Sequence, residues 1–262
     1  MEADDGCPFY EPSDDTYLLV EALRQDLPFI TEMVHPRRCL EVGSGSGYVI
    51  TALALLLRGD NPDDELPITA LFPDAHRAAA DKPADAVSHG NVAVRPQRLA
   101  AACATFQATD VNPRAAAATR ALGRTVGVEI DVVLTDLLSS MRIDGAVDVL
   151  CFNPPYVPTP SEEIEPIRAR GNGIAAAWAG GLDGREVIDR FLPFLPRVLS
   201  ERGCCYLLLV QKNKPFQLIR ALSAMGLSSK IIVKRRAQNE RLLVLRIYRA
   251  PRIAPGARAS PT

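Results

Sequence analysis

The chain has no Cys-x-x-Cys pair, and its three histidines, His35, His76 and His89, are scattered. A zinc or iron–sulfur site built from local ligand pairs therefore has no foundation in the sequence, and no metal is expected. Of the six cysteines, Cys39, Cys151, Cys204 and Cys205 lie inside apolar runs, where a free thiol acts as a small hydrophobe. That placement fits a reduced compartment better than a disulfide framework. An excess of one charge is missing too: 30 Lys and Arg face 31 Asp and Glu, a formal net charge of -1. A general nucleic-acid binder usually carries a clear basic excess. The trio Lys234-Arg235-Arg236 reads as a solvated turn between two strands.

Long apolar runs are also absent. The longest stretch, around Tyr48 to Leu57, is too short to span a bilayer, so no membrane partner is expected. Met1 to Pro8 is acidic and lacks the basic-then-apolar layout of a secretion signal. A soluble protein is expected, placed in the cytoplasm, with the nucleus as a second expected compartment.

What remains is a chain of 262 residues, 47% hydrophobic and 23% charged, enough to bury a well-formed core. Segments with strand character alternate with segments of helical period, as in a sheet covered by helices on its faces. Residues 1–262 are read as one α/β domain. Ser13 is placed to cap a helix from Asp14 that carries Leu18, Leu19, Ala22 and Leu23 on one face. Arg38 to Val42 reads as a buried strand, and an apolar helix follows a glycine turn and runs to about Leu57.

Between Arg58 and Leu99 the pattern dissolves into Pro, Asp and Ala, so 58–99 is expected to be a surface insertion. The tail 251–262 is expected to be disordered. Further strands are expected over Ala104–Thr109, Val128–Leu134, Val147–Phe152, Cys204–Val210 and Leu242–Tyr248, with a helix and a short strand between the last two. A helix starts near Pro113. Another carries the apolar stripe from Val187 to Leu199, which Pro193 and Pro196 must kink or interrupt.

Three motifs carry chemistry. The first, Glu41-Val42-Gly43-Ser44-Gly45-Ser46-Gly47, follows a strand and opens a helix. Glycines there let the backbone turn tightly and approach a ligand with no Cβ in the way. Tyr48 stands where a dinucleotide fingerprint would carry its third glycine. Asp110 closes the next strand, where its carboxylate could accept from ribose hydroxyls.

The second motif, Thr135-Asp136-Leu137, follows the third strand. Asp136 could accept from an adenine amino group while the Leu137 N–H faces the ring; taken alone, Asp136 reads as a helix N-cap.

The third motif is the most specific. In Asn153-Pro154-Pro155-Tyr156 each X-Pro step blocks helix, stiffens the chain and turns the Pro154 carbonyl outward. Asn153 offers a second oxygen beside it, and the two acceptors can hold both hydrogens of an amide or exocyclic NH2. Tyr156 can stack on the flat face of the same group.

These motifs, with Tyr10-Glu11-Pro12-Ser13-Asp14-Asp15-Thr16, Thr109-Asp110-Val111-Asn112-Pro113 and the run Ala176 to Val187, resemble the eukaryotic HemK-like glutamine methyltransferases. The likeness spans Phe9 to Tyr248 apart from the insertion. It implies a Rossmann-like class I methyltransferase fold, a seven-stranded, mostly parallel sheet whose last strand is antiparallel.

The resemblance also implies N5-methylation of the glutamine in the Gly-Gly-Gln loop of eukaryotic peptide-release factor. Carried over, Thr16, Glu41, Gly43, Gly45, Asp110, Asp136, Leu137 and Asn153 would contact S-adenosylmethionine. Asn153, with Pro154 and Tyr156, would hold the target amide. Family members work as heterodimers with a zinc-binding activator related to Trm112, whose strand adds beside the third strand, here the Val128-Ile130-Val132 edge. Two other acceptors, nucleic-acid adenine and a histone lysine, remain alternatives. A non-catalytic binding module is a third, disfavoured by the intact Glu41, Asp110 and Asn153.

Overall fold

The computed structural model describes residues 9–66, 104–160, 162, 175–237 and 240–249. Strands β1 (Arg38–Val42), β2 (Thr105–Asp110), β3 (Ile130–Leu134), β4 (Val147–Phe152), β5 (Leu199–Val210), β6 (Leu227–Ala237) and β7 (Glu240–Arg249) form one sheet. Its order is β3-β2-β1-β4-β5-β7-β6. The first five strands pair in parallel, and β7 runs antiparallel to both β5 and β6. This is the expected arrangement, with the last strand reversed.

Alternation along the strands divides the core between two faces. On β4, Val149 and Cys151 face one cluster with Cys39, Cys204 and Tyr206, packed under α1 (Asp14–Gln25), α2 (Tyr48–Arg58) and α3 (Pro113–Thr125). Leu150 and Phe152 face the other with Leu40, Cys205 and Leu207, packed under α4 (Glu186–Phe191) and α5 (Pro215–Ala224). The four strand cysteines are free and fully buried, as small hydrophobes should be. Burial pushes the Cys204 thiol up to about 12, so it stays protonated and inert.

Every residue of α2 from Tyr48 to Leu57 is buried, because this helix lies on β1 and β2 with α1 and α3 packed beside it. No described helix is long and apolar enough to cross a membrane. α1 is fixed at its far end by Asp26, whose carboxylate accepts from Arg246 at 2.7 Å and from the Tyr206 hydroxyl at 2.7 Å. Leu18, Leu19, Ala22 and Leu23 are the buried face of this helix, as expected.

Chain order locates the site. From β1 the chain builds outward to β2 and β3, then crosses back to place β4 on the other side of β1. The crevice at such a switch point, beyond the carboxyl ends of the strands, is where open α/β sheets bind ligands. Val42 and Phe152 are register partners at that point, so Gly43 and Asn153 leave the sheet side by side.

Several boundaries differ from the sequence reading. Lys234, Arg235 and Arg236 lie inside β6, not in a turn, and Arg235 pairs with Glu21 on α1. β6 is a full strand of 11 residues rather than a short one. It sits at the edge of the sheet, where polar side chains face water and blur the apolar signal. Leu199 belongs to β5. The stripe before it is split at the prolines into α4, a 3-10 turn at Leu192–Phe194 and a turn of helix at Leu195–Val198.

β3 begins at Ile130, with Val128 buried ahead of it. Ser13 stands at the α1 N-cap, but its hydroxyl donates to the Asp15 carboxylate instead of capping the backbone. Residues 58–66 of the expected insertion pack against the domain: Arg58 donates to the Gly127 carbonyl at 2.6 Å and Leu66 is buried. The rest of the expected insertion, and the expected tail, lie outside the described residues.

Candidate active site

The glycine turn joins β1 to α2 with Gly43, Gly45 and Gly47 all in the left-handed region, at φ of 62°, 52° and 80°. L-residues avoid that region because Cβ meets the carbonyl oxygen. Gly47 has a second reason: a Cβ there would lie 2.6 Å from Thr119 Cα. Gly43 and Gly45 meet no such obstacle, and both line the cavity described below.

Two carboxyl groups brace the turn. Glu41 is buried and accepts from the Ile50 N–H at 2.9 Å. Asp110 accepts from the Gly45 N–H at 2.9 Å and the Asn112 N–H at 2.8 Å. Burial raises both above the ordinary carboxylate range, most strongly for Glu41, which also feels the charge of Asp110. The N–H donors pull in the other direction and do not cancel burial.

On the opposite rim, β4 runs straight into Asn153-Pro154-Pro155-Tyr156. Asn153 donates through Nδ2 to Asp15 Oδ2 at 3.1 Å, and its Oδ1 is buried without a partner among the described residues. The reverse orientation of the amide would press an oxygen against a carboxylate, so electrostatics fixes which atom is left over. Tyr156 donates its hydroxyl to the same Asp15 oxygen at 3.0 Å. Burial, reinforced by Asp15, raises this phenol above its ordinary range and keeps its proton in place.

The Trp-Ala-Gly-Gly segment backs this rim. Val157 donates to the Trp178 carbonyl at 3.0 Å and Gly180 donates to the Val157 carbonyl at 2.8 Å. A Cβ on Gly180 would lie 2.6 Å from the Pro155 carbonyl oxygen, and one on Gly184 only 1.9 Å from that of Tyr156. Asn213, fully buried after β5, donates from Nδ2 to the Tyr156 carbonyl at 3.0 Å and the Asp183 carbonyl at 2.9 Å. One amide group thus joins the proline rim, the glycine segment and the end of β5.

Between turn and rim lies a cavity of about 450 Å3, within the range of small-molecule sites. Thr16, Glu41, Gly43, Gly45, Asp110, Asp136, Leu137, Asn153, Pro154 and Tyr156 all line it. The structure thus brings every residue singled out from the sequence to one cavity. Leu137 does so with a left-handed backbone, φ 51°, a strain of the kind that gathers at ligand sites. Asp136 is already engaged: Arg190 on α4 pairs with its Oδ2, leaving Oδ1 unengaged among the described residues.

Sequence reasoning missed Asp15, Asn213 and Arg190. Asp15 stood inside a quoted motif, but nothing local marks it as the partner of residues 138 and 141 positions away.

Comparison with known proteins now decides the family. The methyltransferase HEMK2 of Homo sapiens is 35% identical over 243 residues, covering 92% of this chain and 90% of the human protein. The eRF1 methyltransferase catalytic subunit mtq2 of Schizosaccharomyces pombe is 31% identical, over 92% of this chain and 89% of its own.

The chain belongs to the HEMK2/Mtq2 methyltransferase family.

Among solved structures, the E. cuniculi Mtq2-Trm112 complex, responsible for methylation of the eRF1 translation termination factor, contains a chain 26% identical to this one. The two superpose with a TM-score of 0.56, over 93% of this chain and 100% of that one. No family model matches the sequence. As a HEMK2/Mtq2 member the protein is a methyltransferase with a Rossmann-like class I fold, and the cavity at its switch point is the candidate site of transfer.

Proposed function

We propose that this methyltransferase uses S-adenosylmethionine to methylate the side-chain amide nitrogen of a glutamine in eukaryotic peptide-release factor. The observation that carries the reading is the Asn153 Oδ1, buried and without a partner among the described residues, in a cavity that Pro154 also lines. An unsatisfied buried acceptor costs about 1–3 kcal/mol, and a donor arriving in the cavity removes that cost. A glutamine NH2 brings two N–H groups, one for Asn153 Oδ1 and one for the Pro154 carbonyl.

An amide nitrogen is a weak nucleophile because its lone pair is delocalised into the carbonyl. Holding both N–H bonds orients the lone pair toward the cavity and favours the positive charge that develops on nitrogen. Tyr156 lies beside the same position with a flat ring, and its hydroxyl is fixed by Asp15. No strong base is needed before transfer.

The cavity fits the cofactor. Gly43 and Gly45 leave room for close backbone approach, and Thr16, Glu41 and Asp110 supply polar groups around it. Asp136 Oδ1 and Leu137 suit an adenine edge, with Arg190 fixing the Asp136 carboxylate. S-adenosylmethionine, when bound, supplies an electrophilic methyl group on a sulfonium sulfur.

A Trm112-like zinc-binding subunit completes the active form. The relative from E. cuniculi is an Mtq2-Trm112 complex. The edge supports the same pairing here: β3 bonds only to β2 among the described residues. Leu134 and Val111, at the carboxyl ends of these two strands, are 53% and 56% exposed. An unpaired strand with exposed apolar side chains beside it is suited to β-augmentation.

The test is mass spectrometry of release factor incubated with cofactor and the co-purified heterodimer. The expected result is one added methyl group on the glutamine of the Gly-Gly-Gln loop. An unmodified glutamine, with methyl found instead on adenine of an oligonucleotide or on a histone lysine, would overturn the assignment.

A further inference from the structure

We infer that Asp15 is the positioning residue of the acceptor site: its carboxylate sets the orientation of the Asn153 amide and so decides that an oxygen, not an NH2, faces the incoming substrate. The inference rests on the proposed amide chemistry and goes beyond it, since it names what makes the Asn153 side chain an acceptor.

Asp15 lies at the start of α1 and is only 2% exposed. Its two oxygens are saturated. Oδ2 accepts from the Tyr10 hydroxyl at 3.0 Å, the Asn153 Nδ2 at 3.1 Å and the Tyr156 hydroxyl at 3.0 Å. Oδ1 accepts from the Ser13 hydroxyl at 2.7 Å, the Thr16 N–H at 2.7 Å and the Thr16 hydroxyl at 3.3 Å.

A carboxylate with three donors on each oxygen has no lone pair left for a substrate proton, so Asp15 does not act as a base. What it does is consume the donor end of Asn153. An asparagine amide can present either end, and its choice is dictated by the group it meets. Facing a carboxylate, it must offer Nδ2, and Oδ1 is left over. Tyr10 and Tyr156 are held by the same oxygen, so one charge from the first helix organises the whole rim around β4. The pairing spans 138 residues of sequence and joins the amino-terminal motif to the Asn-Pro-Pro-Tyr turn.

The test uses the co-purified heterodimer and a charge relocation. Asp15→Asn places an NH2 where Oδ2 stood. Asn153 must then turn over to accept from it, presenting its own NH2 to the cavity, donor against donor. Turnover should fall about a hundredfold or more, the effect of losing one oriented catalytic hydrogen bond, while cofactor affinity stays within threefold.

Adding Asn153→Asp to that variant restores the pattern with the same number of carboxylates. Asp at 153 accepts from Asn at 15 and turns its second oxygen to the cavity. The double variant should recover at least tenfold over Asp15→Asn. It should also exceed Asn153→Asp alone, in which two carboxylates collide, by a similar factor. That second comparison stands even if Asp15→Asn does not fold.

A turnover for Asp15→Asn equal to the parent, or a double variant no better than both singles, would overturn the inference; a purely structural aspartate would give no such rescue. Failure of the underlying reading looks different. The unmutated heterodimer would then bind cofactor yet leave the release-factor glutamine unmodified, while NMR of the Asn153 side-chain NH2 would still report whether Asp15→Asn turns the amide over.

Discussion

Glu41 shows what burial of a single carboxyl group at this site costs in stability. It is buried beside Asp110, and burial raises its carboxyl in the folded chain. The folded state therefore holds the proton more tightly than the unfolded chain does. Its contribution to stability is full below the unfolded value of about 4.3 and falls as pH rises toward the folded value. Glu41→Gln removes this penalty and keeps an oxygen for the Ile50 N–H. Free Glu41→Gln protein should melt higher than the parent at pH 7.5, by about 2–4 °C for each kcal/mol relieved, with the gain vanishing toward pH 4. Its affinity for S-adenosylmethionine should fall about tenfold or more. Scanning calorimetry over pH, with a binding isotherm at pH 7.5, checks both; a lower melting temperature at pH 7.5 with unchanged affinity would make Glu41 a plain structural acceptor.

Elements with a strong local signature were legible from sequence; long-range partners were not. β4 was read with its true ends because Val147 to Phe152 is apolar but for Asp148 and is stopped by the X-Pro steps that follow. The glycine turn was equally clear, since a strand, three spaced glycines and a helix make one local pattern. β6 was underestimated because Lys230, Lys234 and Arg236 face water on an edge strand, and the same polarity made its basic trio look like a turn. The role of Gly184 was also hidden, since the group it must clear, the Tyr156 carbonyl, comes 28 positions earlier, the difference of their two numbers. Gly184→Ala forces a Cβ into that carbonyl and demands a left-handed Ala, φ 66°. We expect a loss of about 2–5 kcal/mol and a melting temperature at least ~5 °C lower. Gly127→Ala, with φ 66° but nothing within 4 Å, is the control and should lose only about 1–2 kcal/mol. Equal losses in thermal melts of the two would mean that the packing of Gly184 on the proline rim contributes nothing.

At the scale of the whole molecule, one topological fact organises the rest. The reversal of strand order between β1 and β4 sets a glycine turn and a proline rim on either side of one cavity. The motifs that seed both sides were readable because each sits at a strand end; the brace of the proline rim, Asp15, was not, because it comes from a helix 138 positions before Asn153. The outer edge at β3 extends the same logic to assembly. Leu134→Asp, a charge at the carboxyl end of that strand, should lower the yield of heterodimer in co-expression by at least about tenfold while the chain keeps its melting temperature. Undiminished capture of the partner would move the interface elsewhere. The central claim, that Asn153 Oδ1 serves the acceptor and not the cofactor, is tested most directly by one rate: single-turnover methyl transfer to release factor by Asn153→Ala heterodimer already saturated with S-adenosylmethionine. The account predicts a rate about a hundredfold or more below that of the parent heterodimer. A rate equal to the parent's would contradict it.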